Sequence, residues 1–320
     1  MQKIISKGPA TEDTVYEPVP RWPDLPAGYS FKEATSVGVD HQDRIYVFNR
    51  GEHPMMVFDR EGQLLSKWGE GEFVRPHGVS VDSEGYLYLA DDMGHFVRKT
   101  TTDGEEIMTI GTPNKAAAWQ GGKPFNRPTH CAVHPVTGDL FISDGYGNSR
   151  VHKFDSEGQL IMSWGTSGSD PGEFSLPHNI AMLDDERVVV CDRENFRLQV
   201  FTTSGEFVTE RSMHRPMSIC AGRGLDTNLY VGEGGAHPPQ EGVPNLGQRV
   251  SILDRDLNLV ARFGNSVAGE GPDQFLAAHG IAVDSRGDVY VAEVSWTAYG
   301  SKLDPPREVI SLRKWRRVQD

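Results

Sequence analysis

The sequence is short of cysteine, of long apolar runs and of positive charge. Its three cysteines, Cys131, Cys191 and Cys220, are too few and odd in number for a disulfide framework, so reduced thiols buried in or beside strands are expected. No apolar run approaches the ~20 residues that a spanning helix needs, and no membrane partner is expected. The N-terminal stretch Met1-Gln2-Lys3-Ile4-Ile5-Ser6-Lys7-Gly8-Pro9 lacks the apolar segment of a secretory signal, which predicts a cytoplasmic protein. Lys and Arg number 32 against 45 Asp and Glu, a net charge of −13. That balance opposes nucleic-acid binding, which rests on neutralising phosphates. It favours solubility without specifying a fold. Helical periodicity of useful length is also missing. What the chain has in plenty is turn residues, with 35 Gly and 20 Pro.

One phrase recurs between the turns. Pro76-His77-Gly78-Val79-Ser80-Val81-Asp82 returns as Pro177-His178-Asn179-Ile180-Ala181-Met182 and as Ala278-His279-Gly280-Ile281-Ala282-Val283-Asp284. The histidines are evenly spaced, 178 − 77 = 101 and 279 − 178 = 101. Between them stand three copies without that histidine, beginning Ala34-Thr35, Pro128-Thr129 and Pro216-Met217. Each copy is followed by a turn and a second β-branched or aromatic run, such as Gly85-Tyr86-Leu87-Tyr88-Leu89-Ala90. Third and fourth short runs follow in most units. Four short strands in units of some 40 to 60 residues predict an all-β, six-bladed β-propeller. Residues 14–320 form its single domain and 1–13 an N-terminal tail. The last unit lacks a fourth strand, and the segment around Thr14-Val15-Tyr16-Glu17-Pro18 is expected to supply it, leaving no open seam. Insertions at 112–123 and 234–249 are expected to be loops on one face.

Equivalent positions in a propeller are related by rotation about the central channel. His77, His178 and His279, on alternate blades, are therefore expected ~120° apart and aimed at one axis. Imidazole is a common ligand for zinc and other divalent transition metals. Three such ligands leave a position open, the pattern of catalytic zinc sites. A lone rim histidine bonded to backbone would be the simpler reading, but the repetition on alternate blades favours a metal. His130 falls one place after the rim position and reads equally as packing or as support for the ligands. His41, His53 and His214 read as surface or turn residues.

The ends of the second strands are polar, in Asn49-Arg50-Gly51-Glu52-His53, Asp91-Asp92, Asp144-Gly145-Tyr146-Gly147-Asn148 and Asp192-Arg193-Glu194-Asn195. They are expected at the rim of the same face. Tyr146, between two glycines, could project over the channel. A tyrosine of ordinary pKa, about 10, is a poor base at neutral pH, but neighbouring guanidiniums and a metal would favour its ionised form. Arg50 and Arg193 read either as catalytic groups or as partners of rim carboxylates such as Asp92 or Glu194. Arg150 and Arg197 read as the first residues of third strands.

These phrases resemble NHL repeats. The run Asp144-Gly145-Tyr146-Gly147-Asn148-Ser149-Arg150, with Leu176-Pro177-His178-Asn179 and Asp192-Arg193-Glu194-Asn195, resembles peptidyl-α-hydroxyglycine α-amidating lyase, over about residues 15–315. The resemblance implies a zinc ion on His77, His178 and His279, a catalytic Tyr146, and Arg50 and Arg193 stabilising anionic groups. The implied reaction cleaves the C–N bond of a carbinolamide, a small-molecule substrate, to an amide and glyoxylate. Three departures stand out. Gly147 replaces a cysteine that forms a disulfide in the animal enzymes. Gly280 replaces an aspartate that helps hold a structural calcium, which puts calcium in doubt. Ala278 replaces a proline. A metal-dependent lyase cutting a C–N or C–O bond at a hydroxyl-bearing carbon is therefore expected. A zinc-dependent hydrolase of an ester, lactone or amide is the first alternative and a non-catalytic NHL scaffold the second. Gluconolactonase-type propellers use acidic metal ligands, which this histidine set does not resemble.

Overall fold

Each copy of the repeated phrase forms the innermost strand of a four-stranded antiparallel sheet in a computed structural model of the chain. The structure describes residues 15–318 except 236–239, 241–242, 244–245 and 266. The innermost strands are Ala34–Val39, Pro76–Val81, His130–Val133, Pro177–Met182, Pro216–Ala221 and Ala278–Val283. Each lies against its counterpart in the next sheet, and the sixth returns to the first, so the six sheets close a ring. The expected six-bladed propeller is what the chain forms.

Closure follows the expected route. In the last blade, Ala278–Val283 pairs with Val289–Glu293, that strand with Leu312–Val318, and Leu312–Val318 with Val15–Val19. The segment from the start of the chain thus covers what would otherwise be an open edge. The proposed tail, residues 1–13, lies outside the described residues, as does part of the 234–249 insertion.

The apolar core is divided into six clusters, each shared by two neighbouring blades. The second strands are buried along their whole length, and their successive side chains point to opposite faces of the sheet, each covered by a neighbouring blade. Tyr16 carries the closing contact. Its ring stacks on Phe263 at 4.7 Å, and its hydroxyl meets that of Tyr230 at 2.9 Å. Burial pushes its phenol up to about 12. Tyr16→Ala is expected to cost roughly 3–5 kcal/mol, as truncation of a buried aromatic does. A denaturant midpoint unchanged by it would show that the seam is held elsewhere.

A second device repeats in the turns. Asp40, Asp82 and Asp284 accept backbone N–H bonds within their own turns and a hydroxyl bond from Tyr46, Tyr88 and Tyr290 six residues on. Three of the six blades thus share one turn.

Candidate metal centre and its rim

The inner strands carry a bulge at the rim position. Pairing skips from Pro76 to Gly78, from Pro177 to Asn179 and from Ala278 to Gly280. The unpaired residue is His77, His178 or His279. A bulge leaves its extra residue free to aim away from the sheet. The three rings converge, with centroids 4.6 to 5.0 Å apart, and one nitrogen of each lies within 4.8 Å of the others. This group could hold a metal ion.

The blades that lack the histidine contribute to the same site. His77 Nδ1 lies 2.7 Å from the carbonyl of Thr129, His178 Nδ1 2.6 Å from that of Met217, and His279 Nδ1 2.7 Å from that of Thr35. Thr129, Met217 and Thr35 occupy the rim position of the following blade in each case. A carbonyl only accepts, so each Nδ1 carries the proton and each Nε2 presents its lone pair. That is the arrangement by which partners of metal-ligating histidines fix tautomer and orientation. Burial depresses all three imidazole pKa values well below the usual range. Next come the Arg50 guanidinium for His77, that of Arg193 for His178, and the neighbouring His77 for His279. The imidazoles are therefore neutral, the form that binds a metal.

The loop entering each of these strands is held by a carboxylate from the second strand of the same blade. Asp91 accepts the N–H groups of Val74 and Arg75, at 2.5 and 2.9 Å. Asp192 accepts that of Ser175 at 2.8 Å, and Glu293 those of Leu276 and Ala277. The spacing is uniform: 91 − 77, 192 − 178 and 293 − 279 all equal 14. Asp91 and Asp192, expected at the rim, are instead buried beneath it; Asp91 is spent on backbone, and Asp192 also accepts from Asn195, Arg197 and Gln199. That constant interval was the signal by which sequence reasoning could have found Glu293.

Tyr146 stands over the histidines. Its hydroxyl oxygen lies 3.0 Å from His77 Nε2 and 3.2 Å from His178 Nε2. The glycines beside it are required by close packing. A Cβ on Gly145 would come within 2.1 Å of the Pro177 carbonyl oxygen, and one on Gly147 within 2.2 Å of Asn126 Oδ1. The 112–123 insertion folds against this same loop, with Gln120 N–H donating to the Gly147 carbonyl and Gly122 N–H to Asn148 Oδ1.

Arg50 and Arg193 both reach this face. Arg50 Nε donates to the carbonyl of Pro76, the residue before His77, and its Nη1 pairs with Glu33 at 2.6 Å. The expected partner Asp92 belongs to other arginines, because Glu33, buried and fixed by Thr297, is already in place. Arg193 pairs with Glu194 at 2.7 Å and lies 5.8 Å from the Tyr146 ring centroid. A guanidinium that the sequence reading passed over lies closer, that of Arg127 at 4.3 Å. Arg150 and Arg197 do open third strands.

Burial raises the Glu194 carboxyl, but Arg215 and Arg193 outweigh it and hold the pKa near 2, from an ordinary 4.5. A depressed carboxylate stabilises the fold fully above about pH 4.5, and that stabilisation is lost as pH falls towards 2. Glu194→Gln is thus expected to lower unfolding stability at pH 7, with the gap from wild type closing below pH 4.5. A gap independent of pH would contradict the pairing.

His130 does not join the histidine group. Burial lowers its pKa to about 4, and its Nδ1 has no partner among the described residues. It lines a largely apolar cavity of about 380 Å³ farther along the inner strands, with Cys131 and Cys220. All three cysteines are free, and burial raises their thiol pKa values. His214, expected at the surface, is buried beside Phe196. No helix among the described residues is long and apolar enough to cross a membrane.

A profile of the NHL repeat family matches residues 174–201. The chain is 29% identical over 335 aligned positions to peptidyl-glycine alpha-amidating monooxygenase B of Xenopus laevis, covering 92% of this chain and 36% of that one. It is 35% identical to a probable peptidyl-alpha-hydroxyglycine alpha-amidating lyase of Caenorhabditis elegans, covering 66% of this chain and 54% of that one. With peptidyl-alpha-hydroxyglycine alpha-amidating lyase 2 of Drosophila melanogaster the identity is 28%, covering 85% and 65%. The chain thus spans about a third of the Xenopus protein's length and about half of the nematode one's. Among solved structures, a Xanthomonas campestris gluconolactonase superposes with a TM-score of 0.62 at 12% identity, covering 99% of this chain and 96% of that one. A streptogramin B lyase does so with 0.58 at 12% identity, covering 95% and 98%. At such identities these structures speak for the propeller fold alone.

Proposed function

We propose that this chain, an NHL-repeat β-propeller resembling the peptidyl-α-hydroxyglycine α-amidating lyases, is a metal-dependent lyase of that type. It would cleave the C–N bond of a small carbinolamide. The observation that carries the reading is the convergence of three neutral imidazoles, each with Nδ1 committed to a carbonyl, beneath a single phenol. His77, His178 and His279 would hold a divalent transition metal, with zinc the ion the resemblance implies. Lewis acidity towards a hydroxyl oxygen is the chemistry such an ion supplies.

The residues around it fit the remaining demands. In the reaction R–CO–NH–CH(OH)–COO⁻ → R–CO–NH₂ + OHC–COO⁻, the hydroxyl O–H and the C–N bond break while C=O and N–H form. No water enters and nothing is oxidised. Tyr146 Oη, beside the imidazole nitrogens, would accept the hydroxyl proton, and the departing nitrogen needs one proton in return. Arg50 and Arg193 would hold the carboxylate and offset charge as it develops. Buried Glu33 and the Pro76 carbonyl fix Arg50 for this role.

Metal-loaded protein should convert an N-acyl-α-hydroxyglycine to equal amounts of amide and glyoxylate. A carboxylic acid plus an amine among the products would instead identify the hydrolase. No turnover at all by protein carrying a stoichiometric metal would overturn the reading.

A further inference from the structure

The loop leading to His77 and the loop leading to Thr129 meet around one carboxylate. Asp92 is fully buried and accepts from Arg75 Nη1 at 3.0 Å and from Arg127 Nε and Nη2 at 3.1 and 2.6 Å. The two arginine side chains are 33% and 27% exposed. The acid therefore lies underneath and the cations face outward, with Arg127 Nη1 and Arg75 Nη2 not used in these bonds. Arg127 takes a left-handed backbone conformation, φ 68°, which is uncommon for a residue with a side chain. His95 Nδ1 accepts its backbone N–H at 3.2 Å, and Asp92 anchors its guanidinium, which lies 4.3 Å from the centroid of the Tyr146 ring.

The surrounding charges do not cancel. Among the described residues, the salt bridges of Arg50, Arg75, Arg127, Arg193 and Arg215 on this face are to three carboxylates, Glu33, Asp92 and Glu194. The difference is 5 − 3 = +2, in a chain whose net charge is −13. The acids of the loop before His77, and Asp91 beside Asp92, are committed elsewhere. Asp91 serves the backbone N–H groups of Val74, Arg75 and Gly94, Glu70 faces His53, and Glu72 faces Arg98. A carbinolamide of glyoxylate brings one carboxylate, for which Arg50 and Arg193 suffice. That leaves the Arg75–Asp92–Arg127 group unused, a pair of planar forks on one buried anion and suited to a second carboxylate.

We infer that the substrate is a small dianion. One carboxylate sits on the hydroxyl-bearing carbon, and a second, on the acyl side of the scissile C–N bond, is held by Arg75 and Arg127. This rests on the lyase reading for the reaction but not for the binding of the second anion.

Two substrates test it on zinc-loaded full-length protein, N-succinyl-α-hydroxyglycine and its neutral isostere N-succinamoyl-α-hydroxyglycine. Wild type should favour the acid by about tenfold or more in kcat/KM, the scale of charge-assisted hydrogen bonds. Arg75→Gln and Arg127→Gln should each cut that ratio, and the pair should bring it near one. Calorimetric binding of 2-hydroxypimelate against its ω-amide, two hydroxy acids with no C–N bond to cleave and the chain length of the succinyl and succinamoyl derivatives, reads the same preference without turnover. If neither derivative is cleaved, the lyase reading falls and the ratio of 2-hydroxypimelate to ω-amide binding alone decides the second-anion site. No preference for the acid in either measurement, or a preference that survives the double substitution, overturns the inference. Should Arg127→Gln fail to fold, Arg75→Gln carries the comparison.

Discussion

Replacing His178 by alanine is expected to take bound metal from about one ion per chain to a trace, and carbinolamide turnover down by at least about a hundredfold. Loss of a partner behind a metal-ligating histidine already costs roughly 10–100-fold in affinity or activity, and loss of the ligand itself removes more. His178 is the member most completely enclosed, and its ring lies within 5.0 Å of both His77 and His279 by centroid. Two imidazoles would remain, with the Met217 carbonyl left without its donor. The proper control is His130→Ala, since His130 is also an inner-strand histidine, half-buried, but stands outside the converging group. Elemental analysis of both variants separates the two positions. Added zinc should raise the unfolding temperature of wild type and of His130→Ala, because binding to the native state alone stabilises it by mass action. It should leave His178→Ala unmoved. Retention of a stoichiometric metal by His178→Ala would end the proposal of a three-histidine centre.

The alternation that makes this site was legible in the chain because a propeller turns sequence period into angle. A residue type repeated every second blade must return at equal rotation, so His77, His178 and His279 could be placed without coordinates. The closing role of Val15–Val19 was legible for a related reason, since a ring with one strand missing leaves an edge that some segment must cover. What was not legible were relations at right angles to the chain. Nothing in the phrase Pro128-Thr129 says that the Thr129 carbonyl orients His77 from the next blade. Of the two readings of Arg50 and Arg193 left open by the sequence, the structure carries the ion pairs, with Glu33 and Glu194, while the catalytic role is the one proposed above. Asp92 was expected among their partners. It went instead to Arg75 and Arg127, because the loops before His77 and Thr129 converge on it. Arg127 was missed altogether, its place over Tyr146 depending on a left-handed turn that no residue pattern announced.

Tyr146→Phe is expected to lower kcat by roughly 10²–10⁴-fold, the range that positioned proton transfer contributes, while the metal is retained. The substitution removes one oxygen. The ring stays wedged between its glycines, where Gly145 packs on the Pro177 carbonyl and Gly147 on Asn126. The guanidiniums of Arg127 and Arg193 keep their places at 4.3 and 5.8 Å from its centroid. The histidines keep their Nδ1 bonds to Thr129, Met217 and Thr35, so their nitrogens still face the axis. Only the hydroxyl contacts to His77 and His178 are lost. A group that merely shaped the pocket would show this change in KM, because its contribution would be the same in ground state and transition state. A group that takes the hydroxyl proton contributes in the transition state, so kcat and kcat/KM should fall together. The comparison also bears on the competing hydrolase, whose nucleophile is a water and whose rate need not depend on a phenol above the histidines. Tyr146→Phe with full metal content and a kcat within about tenfold of wild type would therefore remove the phenol from the chemistry and reopen the hydrolytic reading of the same three histidines.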